Sequence, residues 1–201
     1  MSAYYQCMKT SERPEFATQR RNELFDSLIE MFLMDGFSHL TLDDVAARLK
    51  CSKSTLYTLA GSKDALVKEV TKHFFRKATL AVETELAEAS GSLNRITAYL
   101  NAVGRALSAA SEQFMLDMSN FAPAREVYEM NTKFAAERVK TLIDEGVAAG
   151  DFRKVNAAFA ADLTSATMVR IQLGEVRQRT GLGDAKAYQE LAAILTAGIS
   201  V

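Results

Sequence analysis

Apolar residues recur at helical spacing along nearly the whole chain. Leu24, Phe25, Leu28, Ile29 and Phe32 share one face of a first helix, which Asp35-Gly36-Phe37 stops. Leu42, Val45, Ala46 and Leu49 then fall at i, i+3, i+4 and i+7, one buried stripe with Asp43, Asp44 and Arg48 facing out. Thr41, followed three positions on by Asp44, reads as a capping box that starts this second helix near Leu42. Lys50-Cys51-Ser52 leaves room only for a turn. Ser52 can cap a third helix, with Leu56 inward and Lys53, Ser54, Thr55, Tyr57 and Thr58 outward.

From Lys63 to about Ala89 no glycine or proline interrupts the pattern, and Leu66, Val70, Phe74, Ala78 and Val82 step along one side of a long helix leading out of this headpiece. Ser90-Gly91-Ser92 ends it, and Ser92 is the expected cap of a helix carrying Leu93, Ile96, Leu100, Val103 and Leu107. A short Met- and Phe-rich piece follows Ser111. Another helix is expected from Pro123 to Ala149, closed by Gly150. Asn156 is the expected cap of a helix to about Gln178, and Asp184 of the last one, past the glycines at 181 and 183. No period-two segment bounded by turn residues marks a strand, and there is no internal repeat or low-complexity tract. The expectation is an all-α chain.

The third helix has the surface a major groove requires. Small side chains allow close approach to base edges, hydroxyls donate to or accept from bases and phosphates, and lysine and tyrosine hold backbone oxygens. A helical hairpin with an ordinary solvated face fits the same pattern, because the helix-turn-helix is loosely defined by sequence alone.

In order as well as composition, residues 16 to 66 resemble the amino-terminal domain of the TetR family of transcriptional regulators. The first helix, the Asp35-Gly36-Phe37 break, the Thr41 cap, Val45-Ala46, the segment Ser52 to Tyr57, and Ser62-Lys63-Asp64-Ala65-Leu66 opening a fourth helix fall where that family places them. The resemblance implies a helix-turn-helix DNA-binding headpiece plus a helical ligand-binding and dimerisation domain. The expected boundaries are an arm over 1–15, the headpiece over 16–62 and the second domain over 63–201. It implies DNA contacts from Thr41, Ser52, Lys53, Ser54, Thr55, Tyr57, Thr58 and Lys63, with Lys53, Ser54 and Thr55 nearest the bases and Thr41, Tyr57 and Lys63 on phosphates. Two features depart from the family. Lys50 stands where the turn usually has glycine, which calls for a left-handed non-glycine residue or a different turn. Leu59 and Ala60 replace the aromatic or histidine residues that usually follow the recognition tyrosine, so no phosphate contact is carried over to Leu59.

The chain has 201 residues, 48% of them hydrophobic, enough for one large or two small domains with a real core. Net charge is −1, and acidic and basic residues are equal in number through residue 63. A headpiece so balanced binds DNA only by placing few charges well, with Arg20, Arg21, Lys53 and Lys63 expected on one side. Cys7 and Cys51 have neither disulfide-framework nor metal spacing, and Cys51 reads as a small half-buried thiol. No long apolar run or secretory leader is present, so a soluble cytoplasmic protein is expected, with no membrane partner. His39 and His73 lack an evident acid or base partner, the nucleotide and hydrolase motifs are missing, and neither catalysis nor a cofactor nor a metal is expected.

The resemblance further implies an inducer site in the second domain. Methionines and aromatics around a few polar groups suit an adaptable pocket for a partly apolar molecule, although such stripes at helical spacing also build ordinary core. Tyr99, Val103, Phe114, Met118, Phe121, Met130, Phe134, Met168 and Gln172 are the candidate ligand residues, with Asp117, Asn120 and Arg170 as further polar groups. Leu163, Ala166, Arg170 and Leu173, with Leu191 and Leu195, are candidates for a homodimer interface packed as a four-helix bundle. A dimer would read two half-sites about 34 Å or more apart. The resulting expectation is a ligand-responsive repressor on a palindromic double-stranded operator, released by a small molecule. A helical protein–protein interaction module that has lost operator binding is the alternative, and a helical enzyme acting on an apolar substrate is a third.

Overall fold

Side-chain caps start five of the ten described helices. The computed structural model describes residues 15–201, with side chains from Gln19 onward. The arm expected over 1–15, Cys7 included, lies outside the described residues except for Glu15. Ten helices follow: α1 (Glu15–Asp35), α2 (Leu42–Arg48), α3 (Lys53–Leu59), α4 (Lys63–Glu88), α5 (Ser92–Leu107), α6 (Glu112–Asn120), α7 (Ala122–Ala149), α8 (Ala157–Gln172), α9 (Glu175–Thr180) and α10 (Asp184–Ile199). The fold is all-α. Phe152 and Ser200 form an isolated antiparallel bridge, the sole extended pairing among the described residues. No described helix is long and apolar enough to cross a membrane.

Thr41, Ser52, Ser62, Ser111 and Asn156 each accept a backbone N–H in the first turn of their helix. Thr41 and Asp44 complete the capping box: the hydroxyl accepts from the Asp44 amide and the carboxylate accepts from the Thr41 amide. Three expected starts or ends differ. Ser92 is the first residue of α5 rather than its cap, and its hydroxyl donates to Asp151 at 2.7 Å. Asp184 is likewise the first residue of α10, whose cap position is Gly183. The helix begun at Asn156 stops at Gln172 because Gly174 turns left-handed at φ 75°, and α9 restarts behind it.

Two cores divide the chain. The first joins α1, α2 and α3 to the front half of α4, to α6 and to the start of α7, and its centre holds Leu28, Phe32, Phe37, Leu56, Leu66, Val67 and Met118. The second joins the rear of α4 to α5, α7, α8 and α10 around Leu100, Ile143, Ile171 and Tyr188. α4 belongs to both. Gly104 lets α5 approach α10 so closely that an added Cβ would meet the Tyr188 ring at 3.0 Å.

Lys50, in the turn between α2 and α3, sits at φ 51°, the left-handed conformation that its replacement of glycine called for. A side chain there costs about 1–2 kcal/mol, partly offset by the greater freedom glycine loses on folding. Lys50→Gly is therefore expected to raise the unfolding free energy by about 0.5–1 kcal/mol, read as a higher urea midpoint. An unchanged or lower midpoint would show the turn to be unstrained.

Candidate DNA-reading surface and internal cavity

The α3 helix is held from three sides. Its N-terminus is capped by Ser52 Oγ, which accepts from the Thr55 amide at 3.1 Å and lies 2.7 Å from Ser54 Oγ and 2.9 Å from Thr55 Oγ1. Leu56 and Leu59 anchor the inner face in the first core. At the C-terminus the Arg21 guanidinium donates to the carbonyls of Thr58 and Leu59, both at 3.1 Å, supplying cation and donors where the helix exposes carbonyls. Arg21 is thus a clamp between α1 and α3, a role the sequence pattern did not indicate. Lys53, Ser54, Tyr57 and Thr58 stand exposed on the outer face, with Thr55 half-buried beside them.

Several of the expected DNA residues already have protein partners. Lys53 pairs with Asp43 at 2.7 Å across an exposed surface, the kind of pair worth little and readily exchanged for another anion. Lys63 donates to the Ser38 carbonyl at 2.8 Å and lies over the Phe121 ring. The Thr41 hydroxyl is engaged in its cap, where it and the Thr41 amide hold Asp44 below the usual carboxylate range. Lys50 is exposed and has no acidic partner among the described residues.

Behind the reading unit, α6 is latched to the turn after α1. Asp117 Oδ2 accepts from the amides of Phe37 at 2.6 Å and Ser38 at 2.8 Å, and Oδ1 accepts from Gln113 Nε2 at 2.7 Å. Gly36 makes the approach possible: it sits at φ 77°, and an added Cβ would lie 2.6 Å from the same Oδ2. The Ser111 amide adds a bond to the Leu33 carbonyl at 2.8 Å. Burial would push Asp117 up, but the amides of Ser38 and Phe37, then Gln113, hold it below the usual carboxylate range.

A cavity of about 640 Å³ opens between α4, α5, α7 and α8 in the second half of the chain. Of the nine candidate ligand residues, Tyr99, Val103, Phe134, Met168 and Gln172 line it. Phe114, Met118 and Phe121 do not. They pack beneath α1, with Phe114 and Phe121 edge-on to Phe37 at 5.9 and 5.7 Å, because the short α6 spends its apolar side covering the headpiece. Met130 is exposed. Among the further polar candidates, Asp117 forms the latch, Asn120 is exposed and Arg170 pairs with Glu175 on the surface. Residues the pattern did not single out complete the wall, above all Glu83 and Arg138, joined by two bonds of 2.9 and 2.8 Å. Gln172 is held by two tyrosines, accepting from the Tyr128 hydroxyl and donating to that of Tyr188 at 2.9 Å.

On α8 and α10 the expected interface residues split. Leu163, Ala166 and Arg170 are exposed, and Leu173 is half-buried. Leu195 is buried in the second core and Leu191 packs against it, so both face inward, contrary to expectation. The inner stripe of α10 is Ala187, Tyr188, Ala192, Leu195 and Ile199, which turns Ile194 out at 70% exposure. Ile194 and Phe159 are the large exposed apolar residues that the pattern missed.

The chain thus carries a capped helix-turn-helix on a helical body that encloses a cavity. Residues 24–70 match the family described as bacterial regulatory proteins of the tetR family. Solved structures share the fold at low identity. A transcriptional regulator from Saccharomonospora viridis in complex with choline is 17% identical, with TM-score 0.75 over 92% of this chain and 99% of that one. The fatty acid degradation regulator FadR of Bacillus halodurans is 12% identical, with TM-score 0.72 over 94% and 98%. The ketosteroid regulator KstR2 of Mycobacterium tuberculosis is 18% identical, with TM-score 0.60 over 90% and 95%. No curated protein matches the chain in sequence.

The Asp117 latch contributes stability while its carboxyl is ionised. Because the folded pKa is lowered, that contribution is present above about pH 4 and is lost as pH falls through the folded value. Asp117→Asn is expected to cost about 1–3 kcal/mol at pH 7, with the gap from wild type narrowing below about pH 4 in paired urea titrations. A gap independent of pH would mean that packing, and not the charge, carries the latch.

Proposed function

We propose that this chain is a ligand-responsive repressor that binds a palindromic operator as a homodimer and is released when a small molecule enters the cavity. The observation that carries the reading is α4. Its front half supplies Leu66, Val67, Val70 and Phe74 to the headpiece core, and its next turns supply Phe75, Ala78, Thr79, Val82 and Glu83 to the cavity wall. One unbroken helix of 26 residues, about 39 Å long, therefore ends in both sites. A ligand that favours a different packing of α4 against α7 tilts the headpiece and alters the separation of two paired headpieces, and linkage requires DNA to weaken ligand binding by the same factor. The fold relative from Saccharomonospora viridis in complex with choline supports a small-molecule effector.

In this reading Ser54, Thr55 and Lys53 approach base edges, Tyr57, Thr41 and Lys63 hold phosphates, and Ser52 and Thr58 flank them. Lys63 and Thr41 must trade their internal partners for phosphate oxygens. The dimer is built on the exposed side of α8 and α10, around Phe159, Leu163 and Ile194, with Ala166 and Arg170 beside them.

The test is salt-titrated binding to fragments from the region upstream of the gene, with random DNA as competitor. Tight binding to one palindromic fragment, falling steeply with salt, is the expected result, and Tyr57→Phe should weaken all sequences alike while Thr55→Ala changes the preferred one by about 1–3 kcal/mol per base pair. Binding no better than to random DNA, with both variants silent, would leave the interaction module as the better reading. Leu163→Glu should convert the dimer to monomer in sedimentation and cut operator affinity at least tenfold; a variant that stays dimeric would place the interface elsewhere.

A further inference from the structure

The cavity wall carries a paired charge. Glu83 and Arg138 neutralise each other through parallel bonds of Nε to Oε1 and Nη2 to Oε2. Glu137 adds a second carboxylate to the lining. Lys140, which senses Glu137, is bound to Asp144 at 2.7 Å and does not line the cavity. The lining therefore holds two carboxylates against one guanidinium.

Tyr99 supplies the independent sign that something polar is received here. It is 5% exposed and lines the cavity, yet its hydroxyl hydrogen-bonds to no protein group among the described residues. Burial, and then the Glu83 carboxylate, push its pKa well above the ordinary tyrosine value, while Arg138 opposes only in part. The hydroxyl is thus neutral and sits in a field in which Glu83 outweighs Arg138. Phe75 and Phe134 add aromatic rings to the same lining.

Three kinds of polar end can be compared. A carboxylate can use only the Arg138 donors that Glu83 leaves free, and it would then sit beside Glu83 and Glu137, whose like charges repel it. A neutral hydroxyl satisfies Tyr99 but leaves the excess negative charge untouched. A cation keeps the Glu83–Arg138 bonds intact, uses the lone pairs of Glu83 that Arg138 leaves free, is attracted by Glu137, and is favoured by aromatic faces.

We propose that the effector is an amphipathic organic cation, with an ammonium-type end received by Glu83, Glu137 and the Tyr99 hydroxyl and an apolar body packed along Val82, Val103 and Met168. The proposal rests on the cavity being the effector site. At about 640 Å³ the space matches a drug-sized molecule.

Calorimetric titration of the full-length protein with three probes of one chain length, octylammonium, octanol and octanoate, tests it. The ammonium is expected to bind at least tenfold more tightly than octanol, with octanoate weakest. Glu83→Gln and, separately, Glu137→Gln should each erode the ammonium's advantage over octanol severalfold while leaving octanol affinity within about twofold. Glu137→Gln leaves the ion pair in place and keeps the test decisive if loss of Glu83 impairs folding. Octanol or octanoate binding best would overturn the charge assignment and leave the effector site standing. A probe series in which nothing binds would remove the effector site, and the proposal with it.

Discussion

One buried carboxylate holds the reading unit to the body. Asp117 reaches from α6 into the turn after α1 and accepts two main-chain amides that no helix or strand satisfies. Such charge-assisted bonds are worth about 1.5–3 kcal/mol each, and unmade amides at a buried turn would cost a comparable amount. The turn is shaped for this contact, since Gly36 leaves no Cβ where the carboxylate oxygen sits. Phe37 is consequently fixed at zero exposure among Phe32, Phe114 and Phe121, and the front of α4 packs on the same cluster through Phe74. Without the latch, α6 would be hydrogen-bonded to the headpiece only at its N-terminal cap, through the Ser111 amide and the Leu33 carbonyl, and the aromatic cluster would lose the fixed lid over Phe37.

From this cluster a continuous set of contacts runs to the cavity. Phe74 faces Phe114, while its neighbour Phe75 lines the cavity and stacks on Tyr128 at 6.3 Å. The Tyr128 hydroxyl donates to Gln172, and Gln172 donates to Tyr188 at the centre of the second core. Adjacent phenylalanines of the first core thus face the headpiece cluster on one side and the cavity on the other. α4 is the element that carries both ends of this set of contacts.

The headpiece was legible because its rules are local. Thr41 with Asp44, Ser52 with Thr55, and the stripe of Leu42, Val45, Ala46 and Leu49 act within one or two helical turns, so residue types at fixed spacing specify the structure. The cavity was not legible for the opposite reason. Glu83 and Arg138 are 55 positions apart, and neither looks unusual on its own amphipathic helix. Methionine and phenylalanine content misled, because Phe114, Met118 and Phe121 are as well suited to covering α1 as to lining a pocket, and only the placement of α6 decides. The same holds for Leu191 and Leu195, which share an apolar helix with Ile194 and differ from it only in which side meets α5 and α8.

The electrical neutrality of the headpiece acquires a structural meaning. Arg21 clamps the end of α3 and Lys63 holds the Ser38 carbonyl, so part of the basic complement maintains the shape of the reading unit. Among the described residues of the headpiece, Lys50, Arg20 and the loosely paired Lys53 and Arg48 remain at the surface, together with a row of hydroxyls. Few phosphates can then be neutralised by each headpiece, and the nonspecific, counterion-driven part of DNA affinity is correspondingly small. Under the proposed repressor reading, a single headpiece with so little electrostatic grip would depend on hydroxyl contacts at close range and on a second copy to hold it at the operator, which would make the spacing between copies, set through α4, the natural point of regulation.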